Sequence, residues 1–248
     1  MTSTDLDAVE ARAAAEGGAV KRAYVRRIFS EIAPRYDLLN HLLSFNIDKR
    51  WRARAIRELA WDRAPSGTYL DLCAGTLDVG TQLAREAGFR GYVLGTDFAL
   101  PMLLAGDGKV SREILAPVNG DALELPYRDN ALDGAIVAFG IRNLADLGAG
   151  LREVRRVLKP GARFVILEFS TPRSAVVRAG YHAYFHNILP RIGGAISGHK
   201  TAYNYLPQSV ANFPVQEALA QAMREAGYAD VRYLDLTLGV AAIHVGVK

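Results

Sequence analysis

At 248 residues, half of them hydrophobic and 23% charged, the chain has the makeup of a soluble globular protein, with room for one α/β domain plus insertions. A single cysteine excludes an internal disulfide, and no apolar run reaches the length that spans a bilayer, so a cytoplasmic protein is expected. The net charge of +4 comes with no large basic stripe, which argues against nucleic acid as a partner.

In chain order, residues 1–20 are rich in alanine and acidic side chains and lack an apolar core. They read as a mobile tail, neither a signal peptide nor an anchor. Residues 21–248 read as one domain. Within it, 21–60 form an N-terminal helical cap in which Val25, Ile28, Phe29 and Ile32 share a helix face that stops at Ala33-Pro34. Much of the positive charge lies here, in Lys21, Arg22, Arg26, Arg27, Arg35, Lys49, Arg50, Arg52 and Arg54. Such a run is either a solvated helix face or a surface for anionic headgroups. Packing accounts for Leu38, Leu39 and Leu42 but not for Tyr36, Asp37 and Asn40, which are expected to face a site. Asn46 stands where a left-handed turn residue is useful.

Tyr69-Leu-Asp-Leu-Cys-Ala-Gly-Thr-Leu-Asp-Val-Gly80 is the stretch around which the domain is organised. An apolar run ends in an acid, then small residues lead into a helical pattern: a strand, a tight turn and a helix, the opening unit of a nucleotide-binding α/β domain. Asp71 can meet a cationic group and the turn's N–H groups an anionic or polar one, which suits a ligand with both an ammonium and a carboxylate. The next strand, 91–97, also ends in an acid, and Asp97 is placed to accept hydrogen bonds from both hydroxyls of a ribose. Two acids closing two consecutive strands point to a bound nucleoside. After a third strand, Asp121 could accept from an adenine amino group while the Ala122 N–H serves a ring nitrogen.

A fourth strand, 133–138, leads to Phe139-Gly-Ile-Arg-Asn143, then to a helical stripe of Leu147, Leu151, Val154 and Leu158 stopped by Lys159-Pro160-Gly161. The fifth strand is expected at 163–168 and a helix at 213–227, with Asn212 as N-cap, Pro214 in its first turn and Gly227 as C-cap. Two closing strands, 231–236 and 240–247, are joined so tightly that they must run antiparallel. Between the fifth strand and that helix, 171–210 form an insertion rich in Tyr, Phe and His, expected as a lid at the carboxyl edge of the sheet. The fold class is therefore α/β, Rossmann-like, with a mostly parallel sheet and one reversed strand. No metal-ligand spacing is present.

The ordered set Ile32-Ala-Pro-Arg-Tyr-Asp-Leu-Leu-Asn40, Asp71 to Asp78, Asp97, Phe139-Gly-Ile-Arg-Asn143, Arg156-Val-Leu-Lys-Pro-Gly161, Leu167-Glu-Phe-Ser170 and Tyr205-Leu-Pro-Gln-Ser209 resembles the ubiquinone/menaquinone biosynthesis C-methyltransferases. The resemblance implies a seven-stranded sheet with a reversed last strand. It also implies S-adenosylmethionine as methyl donor and a polyprenyl quinol as acceptor, demethylmenaquinol first and a benzoquinol of ubiquinone biosynthesis as the alternative. Carried over, Asp71, Gly75, Thr76, Asp97, Asp121 and Ala122 would bind the cofactor. Arg142 would stabilise the ring oxygen, with Asn143 in support and Tyr36 and Asp37 positioning the acceptor. His186 and His244 are candidate proton acceptors, with core roles as the alternative. The prenyl tail implies peripheral contact at the inner face of the membrane, and a homodimer is left open. Leu77 departs from the family's glycine, so a non-catalytic homologue that binds the cofactor poorly is a further alternative.

Overall fold

The computed structural model describes residues 18–33, 46–183 and 208–248. Seven strands form one sheet: β1 (Thr68–Leu72), β2 (Tyr92–Asp97), β3 (Leu115–Asn119), β4 (Leu132–Ala138), β5 (Leu158–Phe169), β6 (Ala229–Leu236) and β7 (Ala241–Val247). Their order is β3-β2-β1-β4-β5-β7-β6. The contacts from β3 to β5 are parallel, and β7 runs antiparallel to both of its neighbours. The short connection between the closing strands forced that reversal, as expected from the sequence. Strand order switches direction between β1 and β4, so the loops above these two diverge and leave a crevice at their carboxyl ends.

Buried strands explain the near-continuous apolar runs. Alternate side chains feed two separate cores. Tyr69, Ile136 and Val165 join Trp51, Ile56 and Leu83 on one face, and Leu70, Val137 and Phe164 join Leu151, Val154 and Met223 on the other. The first face is covered by α2 (Ile47–Leu59) and α3 (Asp78–Ala84), the second by α5 (Leu147–Val157) and α7 (Gln216–Glu225). Helix α1 (Gly18–Ile32) lies against α4 (Leu100–Gly106) and begins inside the stretch expected as tail. Helix α6 (Ala175–Ala183) and a helical turn at 208–211 lie at the two ends of the expected lid, whose residues 184–207, His186 among them, lie outside the described residues, as do Tyr36, Asp37 and Asn40.

Two element boundaries differ from expectation. Strand β5 starts at Leu158, which pairs with Leu132. The Lys159-Pro160-Gly161 stop ends α5 but does not leave the sheet, because Gly161 takes φ +80° and donates its N–H to Lys248 O. Helix α7 starts at Gln216 behind an extended Val215, so neither Asn212 nor Pro214 opens it. Gly227 does follow its end, at φ +92°.

Candidate functional site

A cleft opens at the switch point. Its floor is the β1 turn (Cys73, Gly75) and the end of β2 (Thr96, Asp97); one wall is Asp121 and Ala122, another Phe139, Gly140 and Asn143. Arg22, Val25 and Phe29 of α1 close it from above. Their spacing of three and four sets them on one face of this helix, part of the cap expected over 21–60, and Arg22 is the cleft residue that the sequence reading did not single out.

Asp97 joins the first two strand ends. Its Oδ2 accepts from Gly75 N at 2.9 Å and its Oδ1 from Ala99 N at 2.8 Å. Each oxygen keeps a lone pair for a ligand hydroxyl. Burial raises its carboxyl despite those backbone donors. Asp121 sits at the cleft with Oδ1 on Leu123 N at 2.9 Å and Oδ2 on the Arg22 guanidinium at 2.5 Å. Arg22 is 58% exposed, so this tie between roof and wall is a screened one. Asn143 brings a buried Oδ1 with no hydrogen-bond partner among the described residues. A buried acceptor left unmatched inside a cleft is what a ligand donor would satisfy.

Asp71 and Thr76 are buried beneath the turn and are not among the residues lining the cleft. Asp71 Oδ2 accepts from Gly80 N at 2.8 Å and so ties β1 to α3. Burial pushes its carboxyl up to about 7, against the pull of Gly80 N and Arg52. Next to it Arg52 reaches Asp78 at 2.6 Å, and Lys109 reaches Asp78 at 2.7 Å. Burial alone would raise the Asp78 carboxyl, but the two cations hold it below its ordinary value.

Leu77 does not enter the cleft. Its backbone takes the left-handed conformation a glycine would (φ +65°), and its side chain, 2% exposed, joins the core with Val79, Leu83 and Leu103. Space for it comes from Gly95 on β2, where an added Cβ would stand 2.3 Å from Leu77 Cδ2. The crowding expected from sequence is thus absorbed below the turn.

Arg142 is likewise buried, not displayed. Its Nη1 meets Glu168 Oε1 at 2.8 Å and also donates to Phe139 O, while Nε donates to Ser209 Oγ at 3.3 Å. Burial raises the Glu168 carboxyl, and Arg142 counters it. The pair braces the loop that carries Phe139 and Asn143. His244 belongs to the core. It lies on β7, 2% exposed, with Nε2 2.8 Å from Gln216 O, and burial lowers its basicity. A role as proton acceptor at the cleft is thereby ruled out. Cys73 touches the cleft as a thiol, raised by burial and by Asp97, Asp71, Glu168 and Asp121.

A cleft with Asp97 and Asp121 set among largely apolar walls suits a cationic nucleoside. The model of the ubiE/COQ5 methyltransferase family matches residues 18–248. A demethylmenaquinone methyltransferase of Thermus thermophilus is 50% identical over 221 residues, 88% of this chain and 99% of that protein. A ubiquinone/menaquinone biosynthesis C-methyltransferase UbiE of Geobacter sp. is 42% identical over 233 residues, 90% and 96% of the two chains. Among solved structures, a SAM-dependent methyltransferase of Thermotoga maritima superposes with a TM-score of 0.59 at 18% identity, covering 90% of this chain and 98% of that one. A phosphoethanolamine N-methyltransferase of Haemonchus contortus in complex with S-adenosyl-L-methionine does so with a TM-score of 0.54 at 15% identity, covering 74% and 49%. At these identities the two structures show the shared fold.

Proposed function

The chain belongs to the ubiE/COQ5 methyltransferase family, S-adenosylmethionine-dependent enzymes of quinone biosynthesis, and from that premise we propose that it methylates a ring carbon of demethylmenaquinol. The relative from Thermus thermophilus, matched over nearly its whole length, supports this acceptor. The names of other relatives keep a polyprenyl benzoquinol as the second reading.

The cleft fits the methyl donor, and the meeting of Asp97, held by Gly75 N and Ala99 N, with the Asp121–Ala122 wall is the observation that carries the fit. Asp97 would take the ribose hydroxyls, Asp121 and Ala122 the adenine edge, and the Gly75–Thr76 turn the methionine end, with Asp71 holding that turn from below. S-adenosylmethionine supplies an electrophilic methyl, so the protein has to align and dehydrate the acceptor carbon. Phe139 and the roof from α1 exclude water, and Asn143 stands where it can orient an acceptor oxygen. Arg142 acts through its bond to Phe139 O as a positioning residue. The reading as a homologue that binds the cofactor poorly rested on Leu77, whose side chain leaves the cleft clear.

No helix among the described residues is long and apolar enough to cross a membrane. Arg26 and Arg27 on α1 and Lys49, Arg50 and Arg54 on α2 are exposed, and such cations suit peripheral contact with anionic lipid near the acceptor's tail. One experiment tests both parts: calorimetric titration with S-adenosylmethionine, then assay against the two demethylated quinols in anionic vesicles. Methylated naphthoquinol and low-salt vesicle sedimentation are expected. Turnover of the benzoquinol alone would shift the acceptor, and full activity without sedimentation would remove the membrane contact.

A further inference from the structure

Strand β3 ends at Asn119 and β4 begins at Leu132, so the cleft wall at Asp121 and Ala122 belongs to a connection with little sheet of its own. It carries the isolated bridge between Asp121 and Glu124, in which Glu124 N donates to Asp121 O at 3.1 Å. Backbone groups beyond that bridge need partners from elsewhere, and two side chains of α5 that do not line the cleft supply them.

Glu153 Oε1 accepts from Leu125 N at 2.7 Å, while Arg156 donates through Nη2 to Leu125 O at 3.1 Å and through Nη1 to Tyr127 O at 2.9 Å. Three residues apart on the helix, the two side chains also close on each other in a bidentate pair, Nε on Oε2 at 2.9 Å and Nη2 on Oε1 at 2.7 Å. Leu125 is thereby gripped at both its N–H and its carbonyl. Tyr127 N donates to the same carbonyl at 2.8 Å across Pro126, whose ring fixes φ. From Tyr127 the grip reaches the cleft floor, because its hydroxyl lies 2.5 Å from Oγ1 of Thr96, a residue that lines the cleft. The remaining partner of Arg156 is Asp129, at 2.6 Å; its side chain is 67% exposed, so solvent screens that contact.

Resting on the reading that Asp121 and Ala122 take the adenine edge, we propose that Glu153 and Arg156 are positioning residues for the methyl donor: by clamping 125–127 they hold the adenine wall in register with the floor at Thr96 and Asp97. Neither side chain touches the ligand; both act through backbone. A wall fixed before the ligand arrives spares the cost of ordering it on binding. The task needs a planar fork that serves two carbonyls and a carboxylate together, which the single ammonium of a lysine does not reproduce. Arg156 first, with the Leu125 N–H in support, holds the Glu153 carboxyl below its ordinary value against the effect of burial, so the pair stays ionised at neutral pH.

Calorimetry with S-adenosylhomocysteine and with its inosine analogue, which carries a carbonyl where adenine has its amino group, tests the clamp. Wild type should prefer the adenine form, since Asp121 can accept from the amino group only. Arg156→Lys should weaken S-adenosylhomocysteine about tenfold or more and shrink that preference, raising KM for S-adenosylmethionine while kcat at saturation holds. Arg224→Lys, which alters an exposed pair with Glu217 on α7, should match wild type throughout. Wild-type affinity in Arg156→Lys, an unchanged base preference or a matching fall in kcat would each overturn the proposal. Hydrogen exchange on the unliganded wild type decides the matter even if the variant misfolds: peptides spanning 121–127 should already be protected, and rapid exchange there that slows only with ligand would overturn the clamp. A wild type that binds both forms equally would overturn the adenine reading instead.

Discussion

Arg142 and Glu168 are both enclosed, so each makes the other's charge tolerable in a weakly polarisable interior. Glu168→Gln strands the guanidinium and should cost roughly 3–5 kcal/mol in urea unfolding, whereas Arg142→Met with Glu168→Leu should recover much of that loss; equal losses in both would contradict the buried-pair account. Sequence reasoning found Arg142 and gave it a ligand-facing role, since the sequence alone cannot show that Glu168, 26 residues on, meets it first. The same limit governs Leu77. Its clash with a glycine-requiring turn was legible, but the relief supplied by Gly95 on another strand was not. Asp97, Asp121 and Asn143 were legible as cleft residues because each sits at a strand end or just beyond, where topology alone directs it to the crevice.

Among the elements, α4 is set hard against the nucleotide turn. A Cβ on its Gly106 would stand 2.2 Å from Thr76 O, and backbone cannot give way there as a side-chain tip could. Gly106→Ala should therefore destabilise by about 1–3 kcal/mol and weaken S-adenosylmethionine binding in calorimetry, whereas Gly180→Ala on α6, with open space around it, should leave binding unchanged. Unaltered affinity in Gly106→Ala would mean that α4 does not position the turn. Helix α5 was readable from its apolar period, and Asp146 caps it through Ala149 N at 2.9 Å. The start of α7 was misjudged because Asn212 closes a separate turn, donating its N–H back to Gln208 O, so the local capping signal belonged to the preceding element. The roof role of α1 needed α4 and the 141–143 turn in place before its apolar face had anything to cover.

At the scale of the whole molecule, burying Asp71 couples folding to pH. Its carboxyl titrates at about 7 when folded and near ~4 when unfolded. Between those values the folded state holds the extra proton, so its contribution to stability falls as pH rises from about 4 to about 7 and is flat above. Asp71→Asn keeps an acceptor for Gly80 N and removes the titration. Across pH 4.5 to 7.5 the wild type should lose more unfolding free energy than the variant, with about 4 kcal/mol as the upper bound; parallel pH profiles would refute the coupling. The sequence by itself determined the α/β alternation, the reversed closing strand and the acids at the strand ends. These follow from period, turn length and strand termini, all of which are local. Tertiary structure alone decided which acids face the cleft, that Arg142 is buried against Glu168, and that α1 brings Arg22 over the site. Those outcomes depend on which distant side chain reaches a charge or a space first, and burial makes that choice decisive.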